Sequence, residues 1–262
     1  MYIEERRKKI LDILSNTGRV DVTQLAEDFG ISKETIRRDL KVLEETQQLR
    51  RTHGGAIVNA SASSDYSEYS ELPANIRSTL NIESKKVICR LAASKINDGD
   101  TIFVDNSTTC IYLCQFLPKD KQITLITNSI PFLNECAKMA NPNHTLICLG
   151  GILKGSNMSL YGALTMQNTL EYFPSKAFVS CTGIISSNQI TDYGVQEIEA
   201  KRTFLHKANE VFLLADHSKF RAAGHVLLGT MSDIDYLITD QHTDYSYLEL
   251  SDEFKSKILI AR

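Results

Sequence analysis

Apolar residues recur at helical spacing through the N-terminal part of the chain. The pattern predicts three successive helices, because each segment has one apolar face to bury and one polar face. Gly30 suits a tight turn before the third helix, and Ser32 is a good N-cap for it. The first helix is expected to carry Arg6, Arg7 and Lys9 on its polar face. The predicted helices cover residues 4–16, 23–29 and 32–47.

The third predicted helix has two chemically different faces. Its apolar residues form one stripe, whereas Lys33, Arg37 and Lys41 share another face. Thr35 and Arg38 lie beside these cations. A helix that is apolar on one side and cationic on the other, presented by a preceding helix and turn, is typical of a DNA-binding helix-turn-helix. A solvated charged face is the alternative, since lysine and arginine are common on exposed helices.

Two short extended segments with a Gly-Gly pair between them follow over residues 49–58. They predict a β-hairpin, which after three such helices would be the wing of a winged helix. Arg50, Arg51 and His53 would then lie along the phosphate backbone, where cations position a protein without reading its sequence. The hairpin and the cationic helix together favour double-stranded DNA as a partner.

A segment of small polar residues without periodicity follows the predicted hairpin and indicates a linker. We assign residues 1–58 to a DNA-binding domain, residues 59–75 to the linker and residues 76–262 to a second domain. The second domain opens with a predicted helix over residues 76–96, where Lys85 and the lysine after it are interpreted as a solvated face.

The remainder of the chain alternates apolar runs with helical segments. Apolar strands that alternate with helices predict a mostly parallel sheet covered on both faces. Ligands of such sheets bind just beyond the carboxyl ends of the strands. In this sequence those ends carry polar and glycine-rich residues. The predicted strands cover residues 101–105, 123–127, 144–149, 176–181, 210–216 and 235–239.

The end of the first of these strands is the main candidate for a ligand site. Asp105 ends the strand, and Ser107, Thr108 and Thr109 follow at the start of a predicted helix. Backbone N–H groups and hydroxyls at a helix N-terminus favour an anion such as phosphate. A hydroxyl that only caps the helix is the alternative. Neighbouring strand ends repeat the arrangement with Thr127, Asn128, Ser129, Gly150 and Gly151.

Composition narrows the possible classes of function. The 262 residues are 42% hydrophobic and 23% charged, as in ordinary globular proteins, and no apolar run approaches a membrane-spanning helix. We therefore expect a cytoplasmic protein without membrane contact. The six cysteines have no zinc-site spacing, so no metal is expected, and no cofactor is assigned. The net charge of −3 does not exclude DNA binding, because a local basic face matters more.

Two motifs make the sequence resemble the DeoR family of bacterial transcriptional regulators, whose sugar-operon repressors include the glycerol-3-phosphate repressor. The block Ser-x-x-Thr-Ile-Arg-Arg-Asp-Leu occupies residues 32–40, after Arg6, Ile10 and Leu14 at the family's spacing. The wing motif Arg-x-His-Gly-Gly-Ala occupies residues 51–56, and the resemblance continues through essentially the whole chain. The family's C-terminal domain resembles ribose-5-phosphate isomerase and glucosamine-6-phosphate deaminase and binds phosphorylated sugars. The resemblance therefore implies an N-terminal winged helix-turn-helix followed by a Rossmann-like α/β sensor domain.

The resemblance also assigns further residues to the effector site. Gly183 would allow a ligand to approach closely. Lys219 is the cation expected near a phosphate, and Asp216 would bind sugar hydroxyls or hold Lys219 in place. Glu197 and Lys201 are i, i+4 neighbours on a predicted helix, for which a surface ion pair is the alternative.

We interpret the protein as a repressor of a sugar catabolic operon. Two or more winged helices on a homo-oligomer, a dimer or a tetramer, would grip operator half-sites, and a phosphorylated sugar would shift the protein between bound and released states. Arg37 and Thr35 are expected at base edges, with Arg50 and Arg51 on the phosphate backbone. The alternative is a sugar-phosphate isomerase or deaminase, since the cleft holds carboxylates and a lysine. No residue is assigned a catalytic role in the repressor.

Overall fold

The chain forms two units in the computed structural model, Met1–Leu80 and Asn81–Arg262. The linker predicted from the sequence lies mostly outside the residues that the structure describes, so the predicted domain bounds remain a prediction. The structure describes residues 3–17, 19–46, 49–52, 54–58 and 74–262.

Local capping sets the ends of the N-terminal helices. Asp21 caps the second helix by accepting a hydrogen bond from the backbone N–H of Thr23 over 2.7 Å. Gly30 ends that helix with a left-handed φ of 63°. Ser32 Oγ then caps the third helix by accepting from the backbone N–H of Thr35 over 3.2 Å, as predicted. The helices are α1 (Ile3–Thr17), α2 (Val22–Phe29), α3 (Lys33–Glu45) and α4 (Ala74–Thr79).

A three-stranded antiparallel sheet forms the wing, and its last strand lies between the other two. Gly55 approaches the first strand so closely that a Cβ would lie 1.8 Å from the carbonyl oxygen of Val20, so only glycine fits there. Neither Gly54 nor Gly55 has a positive φ. Gly55 therefore permits close backbone contact, whereas a Cβ on Gly54 would meet Asp21 Oδ2 at an ordinary 3.6 Å. The strands are β1 (Arg19–Asp21), β2 (Leu49–Arg51) and β3 (Gly55–Val58).

The apolar stripe predicted on α3 is buried in the core of this unit. Ile36 and Leu40 are fully buried and pack in one cluster with Ile10 of α1 and Leu25 of α2. The opposite side of α3 is therefore the side that faces solvent.

The C-terminal unit is built around a parallel sheet, because its strands are short apolar segments joined by crossovers. All six strands predicted from the sequence are present, with bounds shifted by a few residues. The strands are β4 (Thr101–Val104), β5 (Ile123–Thr127), β6 (His144–Cys148), β7 (Ile152–Lys154), β8 (Ser159–Tyr161), β9 (Lys176–Val179), β10 (Gly183–Ile184), β11 (Gln189–Asp192), β12 (Glu210–Leu214), β13 (Val226–Thr230), β14 (Tyr236–Asp240) and β15 (Ile258–Ala261).

Seven of these strands form one parallel sheet in the order β15-β14-β12-β9-β4-β5-β6. Side chains alternate between its two faces because a strand has a period of two. In β4, for example, Ile102 and Val104 join one core cluster whereas Phe103 joins the other. The edge strand β15 was not predicted. The sheet order places the carboxyl ends of β12, β9, β4 and β5 side by side.

Helices cover both faces of the sheet, as predicted. Phe132 of the helix after β5 packs in the first cluster, and Ile198 and Phe204 of the helix after β11 pack in the second. The rings of Phe103 and Phe204 stack with centroids 4.1 Å apart. The helices are α5 (Ile82–Ala93), α6 (Ile130–Met139), α7 (Ala163–Glu171), α8 (Val195–Lys207) and α9 (Asp252–Lys255).

The single helix predicted over residues 76–96 is wrong. The segment forms α4 and α5, which are separated at Leu80 and Asn81, and Asn81 adopts a left-handed φ of 52°. Neither glycine nor proline marks this break, and Asn81, a residue type that tolerates the left-handed region, is its one local signal. The helix predicted after Thr109 is a short 3-10 helix, Cys110–Phe116.

Two small antiparallel sheets were not predicted. One contains β10, β11 and β13, and the other is the hairpin of β7 and β8. Among the residues described, no helix is long and apolar enough to cross a membrane. The cytoplasmic location expected from the sequence stays a prediction.

Candidate functional site

The solvent side of α3 carries the cations singled out in the sequence. Lys33, Arg37, Arg38 and Lys41 are exposed, and Thr35 is half-buried. Within the described part of the chain, the ion pairs of Arg37 and Lys41 are long, exposed and confined to their own helix, at 3.7 Å and 3.9 Å. Exposed pairs of this kind contribute little free energy, so both cations remain able to meet a phosphate or a base.

A buried ion cluster fixes the orientation of α3. Asp39 is only 2% exposed, and its carboxylate accepts from Arg6 Nε over 2.5 Å and from Arg7 Nε over 3.0 Å. These contacts hold α1 against α3. The expectation that Arg6 lies on a solvent-facing polar side of the first helix is therefore wrong, because Arg6 is buried against Asp39 of α3.

The wing is joined to α3 by a hydrogen bond from the backbone N–H of Arg51 to Glu44 Oε1, over 2.9 Å. The Arg51 side chain is exposed. The side chain of Arg50 and all of His53 lie outside the described residues. Their assignment to the phosphate backbone stays a prediction.

Asp105 lies at the carboxyl end of β4, and both its oxygens are used within the fold. Oδ1 accepts from the backbone N–H of Ser107 over 2.9 Å, and Oδ2 accepts from the backbone N–H of Ser180 over 2.8 Å. Oδ2 also lies 2.9 Å from Lys201 Nζ. Asp105 therefore positions two strand-end loops.

Lys201 is buried between two carboxylates. Its Nζ lies 2.7 Å from Asp192 Oδ2 and also donates to the carbonyl oxygen of Ser180 over 2.9 Å. Burial lowers the pKa of Lys201, but the charges of Asp105 and Asp192 more than reverse this, and its pKa lies above the usual range. Burial raises the pKa of Asp192, but Lys201 outweighs it and holds that pKa below its usual range. Lys201 and Asp192 are therefore both ionised at neutral pH.

Glu197 is buried on α8 and binds the hairpin of β7 and β8. Lys154 Nζ donates to it over 2.6 Å, Asn157 Nδ2 over 3.1 Å, and Ser159 Oγ also donates. Burial raises the pKa of Glu197, but the hydrogen bonds of Lys154 and Ser159 hold it below the usual range. Glu197 and Lys201 thus have different partners and are both buried. The alternative of a surface ion pair between them is wrong.

The loop after β4 contains both a capping hydroxyl and a cation contact. Ser107 Oγ accepts from the backbone N–H of Cys110 over 3.0 Å, so it does cap the following helix. Thr108 Oγ1 accepts from Lys85 Nζ over 3.3 Å. Lys85 is buried, so its interpretation as a solvated lysine is wrong. Its spacing relative to Ile88 is the i, i+3 signal that places both on one helical face.

The loop after β5 is anchored by its own side chains. Thr127 Oγ1 accepts from the backbone N–H of Ser129 over 3.0 Å, and Ser129 Oγ caps α6. Asn128 Nδ2 donates to the carbonyl oxygen of Leu160 over 3.1 Å. Asn128 Oδ1 is buried and has no hydrogen-bond partner within the part of the chain that is described.

The glycines at the strand ends allow close packing of the backbone. Gly150 and Gly151 have left-handed φ values of 68° and 120°. A Cβ on Gly151 would lie 2.1 Å from Thr165 Oγ1. A Cβ on Gly183 would lie 1.9 Å from the carbonyl oxygen of Ala222, so Gly183 makes room for the neighbouring backbone. The expected approach of a ligand to Gly183 stays a prediction.

Asp216 is fully buried after β12 and has one satisfied oxygen. Oδ1 accepts from the backbone N–H of Ser218 over 2.9 Å and from Asn81 Nδ2 over 3.0 Å. Oδ2 has no partner in the described structure. Lys219 is half-buried, and its ammonium makes no ion pair with a described residue. Asp216 holds Lys219 through the backbone instead, because it caps the short 3-10 helix His217–Lys219 and its carbonyl oxygen accepts from the backbone N–H of Lys219 over 2.9 Å.

The residues at the strand ends of the C-terminal unit, from Asp105 to Lys219, are called the cleft below. Neither a reactive buried thiol nor a metal site is found among its described residues. Cys181 follows β9, and burial raises its pKa to about 12 although the nearby charge of Lys219 opposes the rise. All six cysteines are free, and Cys148 alone is exposed. No group of three or more His, Cys, Asp or Glu side chains among the described residues could hold a metal ion.

Comparisons with known proteins identify the family. Residues 80–241 match the model of the DeoR C-terminal sensor domain, and residues 6–62 match that of the DeoR-like helix-turn-helix domain. The chain belongs to the DeoR family. It is 32% identical to the HTH-type transcriptional regulator YulB of Bacillus subtilis, over 98% of this chain and 96% of that protein. It is 33% identical to the transcriptional repressor GlcR of the same organism, over 99% and 97%.

Membership of the DeoR family confirms a transcriptional regulator rather than an isomerase or a deaminase. The predicted fold class is confirmed by the winged helix-turn-helix and the parallel sheet. Ribose 5-phosphate isomerase A of Neisseria gonorrhoeae is a distant structural neighbour, with 13% identity and a TM-score of 0.39 over 55% of this chain and 54% of that one. A similarity this distant supports no inference about activity.

Proposed function

We propose that this DeoR-family protein represses a carbohydrate catabolic operon and that a phosphorylated sugar, bound at the strand ends of the sensor unit, controls it. The observation that carries the proposal is the exposed cationic side of α3, held in place from behind by the buried contacts of Asp39 with Arg6 and Arg7. A rigid cationic helix beside a wing is suited to the major groove.

On the DNA side, Arg37 and Thr35 read base edges, and the remaining cations contact phosphates. Arg37 has the freedom to do so, because its side chain is 55% exposed. Thr35 shares a hydrogen bond of 2.9 Å with Ser32 Oγ, which fixes its hydroxyl near the start of the helix. The phosphate contacts fall to Lys33, Arg38, Lys41, Arg50, Arg51 and His53.

On the sensor side, the effector carries a phosphate and several hydroxyls. Lys85 at the Thr108 hydroxyl and the half-buried Lys219 supply positive charge. Asp216 Oδ2 and Asn128 Oδ1 are buried acceptors without a donor, which a ligand hydroxyl would satisfy. The other residues assigned from the sequence act mainly by positioning these groups, since their side chains are engaged within the fold.

Regulation follows if the effector binds one of two arrangements of the protein more tightly than the other. An operator has two half-sites, so the working unit is a dimer or a tetramer of this chain. The two winged helices of such an assembly would have to match the spacing of the half-sites for tight binding.

Fluorescence anisotropy on the DNA upstream of the protein's own gene tests this function. The full chain is titrated at several salt concentrations and then challenged with ribose 5-phosphate, fructose 6-phosphate and glycerol 3-phosphate. Each probe is paired with its unphosphorylated counterpart. We expect tight, salt-sensitive binding that a phosphorylated probe alters and its counterpart does not. No specific binding there or in a genomic selection of fragments would refute the repressor.

A further inference from the structure

The sensor unit begins at Asn81, whose side chain is tied to the strand-end cleft. Asn81 Nδ2 donates to Asp216 Oδ1 over 3.0 Å, although the two residues are 135 positions apart. Asn81 has a left-handed φ of 52° and makes no side-chain cap for α5. Its side chain therefore fastens the first residue of the unit to the end of β12.

The carboxylate that receives this hydrogen bond is half-satisfied. Asp216 is 0% exposed, and its Oδ1 holds Asn81 and Ser218 while its Oδ2 has no partner among the described residues. A buried carboxylate oxygen without a donor is costly. One side chain thus joins an unsatisfied acceptor at the proposed effector site to the residue at which the chain enters the sensor unit.

We propose that the hydrogen bond between Asn81 and Asp216 couples effector binding to the DNA-binding unit. The proposal rests on the function proposed above and names its route of regulation. An effector hydroxyl that donates to Asp216 Oδ2 fixes the plane of the carboxylate. The orientation of that plane also decides how well Oδ1 holds Asn81.

Contacts within the N-terminal unit continue this route. Leu80, next to Asn81 in the chain, directly follows α4, and α4 packs against α1. α1 in turn supplies Arg6 and Arg7 to Asp39 of α3. A change at Asn81 therefore reaches the DNA-contacting helix through one covalent bond and packed helices.

The test substitutes Asn81→Gly, because glycine keeps the left-handed backbone and removes only the amide. Asn188→Gly is the matched control. Asn188 also has a left-handed φ, of 58°, and its Nδ2 donates over 2.8 Å to the carbonyl oxygen of Glu249, a residue that is not assigned to the effector site. Both variants remove one side-chain hydrogen bond at a left-handed asparagine.

Two quantities are measured on the full chain. Anisotropy gives the ratio of DNA affinities with and without ribose 5-phosphate, fructose 6-phosphate or glycerol 3-phosphate, and calorimetry gives the affinity of each probe without DNA. We expect Asn81→Gly to reduce the ratio at least about fivefold, with DNA affinity and probe affinity each within about threefold of wild type. Asn188→Gly should keep the wild-type ratio.

The outcomes separate the coupling proposal from the proposed function. If wild type responds to a probe and Asn81→Gly responds equally, the coupling proposal is wrong while the function stands. If Asn81→Gly loses probe binding together with the response, Asn81 only shapes the ligand site and the coupling proposal is again wrong. If wild type binds DNA but responds to no probe, the proposed control by an effector is wrong, and the coupling proposal that rests on it is wrong as well.

Discussion

Charged side chains have opposite settings in the two units of this protein. On α3, the cations Lys33, Arg37 and Lys41 are exposed and at most loosely paired. At the strand ends, Lys201 and Glu197 are buried and each makes several short polar contacts. The exposed cations remain able to bind a partner, whereas the polar atoms of the buried residues already have partners within the fold. A charged residue at a strand end or on an exposed helix is therefore able to bind a ligand only where its hydrogen bonds and ion pairs are not all made within the fold.

Removal of Lys201 should have the largest effect on the free energy of unfolding. Lys201→Met leaves the carboxylates of Asp105 and Asp192 buried without their cation. We expect a loss of about 3–5 kcal/mol in the free energy of unfolding of the sensor unit, measured by chemical denaturation. A loss close to that of an exposed lysine would show that the cluster is not structural.

The pH dependence of this loss follows from the two pKa shifts. The lowered pKa of Asp192 gives stability that is present above the unfolded value of about 3.9 and is lost as pH falls through the folded value. The raised pKa of Lys201 gives stability that is present below about 10.4 and is lost as pH rises through the folded value. The difference between wild type and Lys201→Met should thus be greatest between those limits and shrink in acid.

The next largest effect is expected behind α3. Asp39→Ala leaves Arg6 buried without its carboxylate and should destabilise the N-terminal unit by about 2–3 kcal/mol. This loss is smaller than that expected for Lys201→Met, because Arg7, the second partner of Asp39, is partly exposed. Hydrogen exchange of α1 and α3 in the full chain measures this. Glu34→Ala is the control, since its pair with Arg37 is exposed and should be worth no more than about 0.5 kcal/mol.

A smaller effect, on DNA affinity alone, is expected from Arg37→Ala. If Arg37 reads a guanine, the variant should bind the specific site about 1–3 kcal/mol more weakly and unfold like wild type. Anisotropy on the specific and on a random duplex measures the difference. Equal losses on both duplexes would make Arg37 a phosphate contact.

Lys219 should behave unlike Lys201, although both are assigned to the effector site at the strand ends. Lys219→Met should change the free energy of unfolding by no more than about 0.5 kcal/mol, because the lysine is half-buried and its ammonium forms no ion pair with a described residue. Calorimetry should nevertheless show weaker binding of the phosphorylated probes. A large loss of stability instead would place Lys219 with Lys201 among the structural cations.

Local signals in the sequence predicted most of the architecture. The Ser32 cap, the stripe of Ile36 and Leu40, and the apolar strands each depend on neighbours in the chain, and each was confirmed. Burial of Lys85 was also predictable, because Lys85 shares a helical face with Ile88. Its position next to a second lysine in the sequence instead favoured the interpretation as a solvated face.

The arrangement of the cleft could not be predicted in the same way. Lys201 meets Asp105 from a distant part of the chain, and Gly183 meets the backbone of Ala222 from another loop. Such contacts depend on the order of strands in the sheet, which periodicity does not encode. The sequence therefore located the strand ends but not the partners that engage their side chains.

The uneven burial of the cysteines has a practical consequence for spectroscopy. Five thiols are buried, and burial raises the pKa of Cys114 to about 11 and that of Cys136 to about 12, which leaves them nearly unreactive at neutral pH. Cys148, exposed on β6, is the remaining thiol. A maleimide dye should thus attach to the native sensor unit at one position without any substitution, as a reporter for energy transfer to labelled DNA.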